Sequence, residues 1–108
     1  MTTFDYAVTI MGCDASFDDG ELTWGDEHEL VHERHFDSQE EAIEYLRSIS
    51  RDQVIVWEKE SRCNSLDAII QRDEFEDGEF VRFVMTGEAE WVGAELNGIW
   101  DENWNRVE

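Results

Sequence analysis

An α+β fold, an antiparallel β-sheet with one main α-helix packed on one face, is what this chain predicts, and three observations carry the prediction. The C-terminal stretch from Asp67 to Arg106 is divided by Asp77-Gly78, Gly87-Glu88 and Asn97-Gly98 into runs rich in β-branched and aromatic residues. Each pair supplies the positive φ that a two-residue hairpin turn requires. At the other end, Phe4, Tyr6, Val8 and Ile10 alternate with Thr3, Asp5, Ala7 and Thr9, the pattern of a strand with one buried face. Between them, Ser38-Gln39-Glu40-Glu41 forms a capping box ahead of Ala42, Ile43, Leu46 and Ile49, which share one helical face.

In chain order, the first strand is followed by a polar, irregular stretch from Gly12 to Asp19, and Asp19-Gly20 turns the chain into a second strand holding Leu22 and Trp24. Gly25 to Glu29 reads as loop and Leu30 to Phe36 as strand. The helix spans about 38–50, with Glu40, Glu41 and Glu44 near its positive end and Arg47 and Arg51 near its negative end. Val54 to Trp57 is a short apolar run expected as a buried strand. Asn64-Ser65 either caps a short second helix through Ile70 or precedes an early start of the C-terminal sheet.

The three turns make a four-stranded meander in which Phe75 faces Phe80, Asp73 faces Arg82, Phe83 faces Val92, Val81 faces Ala94, Leu96 faces Ile99 and Trp91 faces Trp104. Alternation then assigns Ile70, Val81, Phe83, Met85, Val92, Ala94, Leu96 and Ile99 to the core face. Trp91, Trp100 and Trp104 fall on the other face, to be covered by the N-terminal strands or left as an anchor for a partner.

Composition bounds the function. The 108 residues suit a single acidic α+β domain, 1–108, and 41% hydrophobic with 12% aromatic residues excludes a disordered acidic tail. Cys13 and Cys63 have no metal-type spacing and fit a reduced, cytoplasmic protein better than a disulfide framework. The first residues lack the basic start of a signal peptide, and no apolar run approaches the length of a membrane span.

His28-Glu29-Leu30-Val31-His32 resembles the H-E-x-x-H motif of zincin metalloproteases, in which His28 and His32 would bind zinc and Glu29 would act as base. The motif needs a helix, yet Asp26 and Glu27 precede it and Glu33 and Arg34 follow it. On a strand, positions 28 and 32 would lie about 13 Å apart and share no metal. The reading adopted is therefore no metal, no cofactor and no catalytic residue, with a zinc-dependent hydrolase or zinc-binding protein as the alternative. Asp14, Asp18 and Asp19 lack the ligand spacing of an EF-hand. No phosphate loop or nucleophile elbow is present.

The dominant feature is charge: 28 acidic against 8 basic residues, a net charge of −20. Solubility of a small domain needs a magnitude of only roughly 2 to 8, so the excess calls for another purpose. It is concentrated. One group holds Asp14, Asp18, Asp19, Glu21, Asp26, Glu27, Glu29, Glu33, Asp37, Glu40, Glu41 and Glu44 against the single base Arg34. A second, around the meander turns, holds Asp73, Glu74, Glu76, Asp77, Glu79, Glu88 and Glu90. Acids two apart on a strand, such as Glu74 with Glu76 or Glu88 with Glu90, project about 6.8 Å apart, a step comparable to that between phosphates along a nucleic-acid strand.

Such a surface repels nucleic acid and anionic membrane and steers the chain toward basic protein surfaces. In composition, though not in motif, it is similar to the phage-encoded anti-restriction and anti-CRISPR inhibitors, small acidic domains with no enzyme signature. The resemblance implies a cytoplasmic, non-enzymatic DNA mimic, a monomer or small homo-oligomer, that blocks the basic groove of a nuclease, restriction or CRISPR effector. A generic acidic protein-interaction domain is a further alternative.

Overall fold

The computed structural model describes residues 1–18 and 21–108, with side chains throughout except at 15–18 and 22–28. The elements are β1 (Thr2–Asp18), β2 (Glu21–Phe36), α1 (Gln39–Ser48), α2 (Arg51–Ser61), β3 (Ser65–Glu76), β4 (Glu79–Val92) and β5 (Glu95–Asp101). They form one antiparallel sheet in the order β2-β1-β3-β4-β5 with both helices on one face. An α+β fold is thus what the sequence builds. The expected turn at Asp19-Gly20 lies outside the described residues.

Because β1 separates β2 from β3, and each is antiparallel to it, β2 and β3 run the same way and need a crossover between them. Two short helices supply it. Ser38 caps α1 by accepting from the Glu41 amide at 3.2 Å, and Glu41 Oε2 accepts from the Asp37 amide at 3.3 Å. Ser50 caps α2 in the same manner, accepting from the Gln53 amide at 3.1 Å. Arg62 closes α2 in the left-handed conformation, φ 60°, its amide bonded to the carbonyls of Glu58 and Lys59.

The core lies between sheet and helices. Val8 and Ile10 of β1, Leu66, Ala68 and Ile70 of β3, Ala89 and Trp91 of β4 and Ile99 of β5 meet Ala42 and Leu46 of α1 and Val54 and Trp57 of α2. Val54–Trp57 is therefore helix, not the expected strand. Val54 and Trp57, three apart, face the sheet, while Val56 is 46% exposed, an arrangement that period 3.6 permits and period 2 does not.

The C-terminal half has three strands instead of four. Asp77-Gly78 is the turn expected, with φ of 51° and 84°, and Phe75 faces Phe80 with rings 5.9 Å apart. Gly87 and Gly98 lie inside strands, where each makes room for a neighbour. A Cβ on Gly87 would come within 2.9 Å of Ile70 Cδ1, and one on Gly98 within 2.7 Å of the Trp100 ring. The second turn falls instead at Gly93-Ala94, φ 57° and 67°, where the Ala94 amide donates to Glu58 Oε2 at 3.3 Å.

Registers beyond the first turn change accordingly. Arg82 faces Glu74 and Phe83 faces Asp73, Val92 faces Ser65 and Glu95, and Trp91 faces Leu66 and Leu96. Ile70, Ala94 and Ile99 are buried as expected, but Val81, Phe83, Met85 and Leu96 are exposed. The bulge between Ile70 and Gln71 sets Met85 against Gln71 and Phe83 against Asp73, which alternate with Ile70 and so lie on the sheet face away from the helices. Val92 is half-buried. The tryptophans part company: Trp91 is core, Trp100 lies over Gly98, and Trp104 is 64% exposed. Strand β3 starts at Ser65, so the short second helix there does not form.

Candidate functional site

The first acidic group is carried by β1, β2 and α1. Strand β2 is the sheet edge and exposes Glu21, Glu29 and Glu33; Asp37 is exposed at its end, and α1, which packs beside it, exposes Glu40, Glu41 and Glu44. Asp14 is exposed on the adjoining β1. Asp18, Asp26 and Glu27 lie on the same hairpin by backbone, their side chains and Asp19 being outside what is described. Glu33 has His35 Nε2 at 3.7 Å and Glu44 has Arg47 at 2.7 Å, whereas Glu21, Glu29 and Glu40 make no ion pair among the described residues.

The second group does not form the array expected of it. Glu74, only 13% exposed, accepts from Arg82 and from Arg72 at 3.2 Å, and the Arg82 hydrogen bond holds its carboxyl below the usual range, with Arg72 adding. Glu76 and Asp77 hold the N-terminal ammonium at 3.3 and 2.5 Å, and Thr2 donates to Glu76 at 2.5 Å. Asp73 accepts from Gln71 at 2.8 Å. Glu79 is exposed at the hairpin turn. The Glu74 and Glu76 side chains are thus occupied by intramolecular cations.

Glu88 and Glu90 sit half-buried on the sheet face opposite the helices, where they meet Asp67 of β3 with carboxylate oxygens within 4.8 Å of one another. Burial pushes the Glu90 carboxyl up, Glu88 adds to that, and Asn97, donating at 3.0 Å, opposes it. Three oxygen ligands of this kind suit a hard divalent cation. A shared proton meets the same repulsion. Asp67 was not singled out from sequence, although alternation places it across from Glu90 once the register is known.

The H-E-x-x-H run lies within β2, extended, with Glu29 paired to Gly12 and His32 to Ile10. Positions 28 and 32 are then about 13 Å apart, so the zincin geometry does not form. His32 points toward the helices, stacked on Trp57 at 5.2 Å, its Nε2 buried without a hydrogen-bond partner. His35 is on the opposite face, where the Asp5 carboxylate, 2.6 Å from Nδ1, raises its pKa. Arg34 lies over the rings of Phe36 and Tyr45 at 5.3 and 5.1 Å. Beside it is an open cleft of about 310 Å³ lined by His32, Tyr45, Ser50, Gln53 and Trp57 among others. The Ser48 hydroxyl at its rim donates to the Tyr45 carbonyl at 2.7 Å.

Cys13 and Cys63 form no disulfide among the described residues. Among the described residues no helix is long and apolar enough to cross a membrane. No protein-family model, curated protein or solved structure matches the chain.

Proposed function

We propose that this protein is a DNA mimic, a non-enzymatic inhibitor that occupies the basic groove of a nucleic-acid-binding protein such as a nuclease, restriction or CRISPR effector. The observation that carries it is charge per length. A net charge of −20 on a body 50 × 27 × 24 Å is one charge per 2.5 Å of long axis (50 Å divided by 20). Duplex DNA carries one per about 1.7 Å. The scaffold supports this reading, since the backbones of β2 and α1 that carry the carboxylates are held by sheet pairing and helix packing, so no backbone ordering is needed when a groove closes on them. Glu21, Glu29 and Glu40, which make no ion pair among the described residues, would make first contact.

The test is binding to basic nucleic-acid-binding proteins of the same cytoplasm, with duplex DNA as competitor. Complex formation is expected to weaken steeply with salt and to be reversed by DNA. Glu29→Lys combined with Glu40→Lys should weaken it by about tenfold or more, because two exposed charges reverse sign while the fold persists. A complex indifferent to DNA, salt and these substitutions would end the proposal in favour of another protein-interaction role.

A further inference from the structure

Strand β4 has an uncovered edge. Strand β5 pairs with it only from Gly87 to Val92, so Glu79 to Thr86 pair with β3 on one side and with no strand on the other among the described residues. Such an edge presents a row of outward N–H and C=O groups, and soluble proteins blunt it with charge or cover it. The other edges here are treated in that way. Strand β2 carries Glu21, Glu29 and Glu33, and the outer side of β5 is covered by the C-terminal residues, through Asp101 N to Asn105 O at 3.0 Å and Val107 N to Ile99 O at 2.8 Å.

The β4 edge has no such protection. From Phe80 to Thr86 the sequence is Phe-Val-Arg-Phe-Val-Met-Thr, seven residues without an acid in a chain of net charge −20. Phe80, Val81, Phe83 and Met85 are 57, 59, 60 and 48% exposed. Its one charge, Arg82, is already paired with Glu74.

We infer that this edge is the seam of a two-fold dimer, in which β4 of one copy pairs antiparallel with β4 of a second, joining two five-stranded sheets into one. The segment is self-complementary about a two-fold axis at Phe83. That register sets Phe83 against its counterpart, Val81 against Met85 and Arg82 against Val84, so no like charges stand directly opposite. Moving the axis by one residue to Arg82 would oppose two arginines. A second copy suits this edge because residues 80–86 carry no acid, so two copies of a chain of net charge −20 meet there without opposing carboxylates. Strand β2 is at the far side of the sheet from β4, so joining at β4 leaves the two acidic edges at the outer ends, as distant as the fold allows. The edge is also regular where it matters: Arg82 to Met85 pair with Glu74 to Gln71 without interruption, between two bulges.

Sedimentation of the full chain from micromolar to millimolar concentration tests the inference. A monomer–dimer equilibrium is expected, tightening as salt is added, the reverse of the salt dependence of binding to a basic partner, because two copies of like charge must approach. Phe83→Lys and Val81→Lys, each at an exposed site and each checked for the native circular dichroism spectrum, should weaken the dimer by about tenfold or more. Val56→Lys on α2 should leave it unchanged. A monomer at every concentration, a dimer that both folded seam variants form as tightly as the native chain, or open-ended association without a defined dimer would each overturn it. Because the seam substitutions leave β2 and α1 intact, retained binding of a basic protein by monomeric Phe83→Lys would separate this inference from the mimicry proposal.

Discussion

Leu46 is 1% exposed and packed among Val54, Ile99 and their neighbours, so Leu46→Ala should cost about 2–5 kcal/mol in denaturant unfolding, the lost transfer energy plus the cavity left behind. The titrating residues make a prediction of opposite character. Burial raises the folded pKa of Glu58 and Glu90, so folding is opposed by their ionisation, and stability falls as pH rises above the ordinary glutamate value of 4.5 toward neutrality. His35 acts in the same direction: its raised pKa contributes stability present below 6.5 and lost as pH rises through the folded value. Glu74 acts oppositely, since its lowered pKa contributes stability present above 4.5 and lost as acid protonates it. Thermal melts should therefore be highest near pH 4.5, declining in acid as Glu74 is protonated and toward neutrality as Glu58 and Glu90 ionise and His35 loses its proton. Much of the residue-level core was legible, because Val8, Ile10, Ala42 and Leu46 follow from alternation and helical spacing alone. Phe83 and Met85 were misplaced because a bulge between Met85 and Gly87, invisible to strict alternation, moves them to the face opposite Ile70, and Val81 sits at a second bulge.

Among the elements, α1 announces itself through Ser38 and Glu41, and α2 carries the same signal at Ser50-Arg51-Asp52-Gln53, an S-x-x-Q pattern obscured by the β-branched run Val54-Ile55-Val56. Ser50→Ala should destabilise the fold by about 1 kcal/mol in chemical denaturation, the usual cost of losing an N-cap acceptor. Glycine accounts for the misread strands. At Asp77-Gly78 it serves a left-handed turn, whereas at Gly87 it clears space for Ile70 and for the Trp100 carbonyl, which a Cβ would approach to 3.1 Å. Gly87→Ala should therefore cost about 1–3 kcal/mol by overpacking. A dipeptide looks the same in either role, and only the neighbour across the strand distinguishes them. The zincin motif failed for a related reason: its five residues specify ligand chemistry, but β-pairing of Glu29 with Gly12 and His32 with Ile10 imposes extended spacing on them.

At the scale of the whole molecule, the net charge of −20 opposes compaction, so the melting temperature should rise as salt is raised from low to molar concentration, even as binding to a basic partner weakens. The sheet order turns that charge into an arrangement. By placing β2 at one edge and the acid-free part of β4 toward the other, it separates an anionic margin from an adhesive one. What the amino-acid order determined by itself was the α+β class, the N-terminal strand, the first helix with its cap, one hairpin and the excess of acid, all set by contacts within a few residues or by composition. Which acids remain uncompensated, which glycines turn the chain and which apolar residues stay in water were decided only by tertiary structure, because each depends on partners far apart in sequence, as Glu74 on Arg72 and Arg82, Gly87 on Ile70, and the exposed β4 edge on where β5 stops.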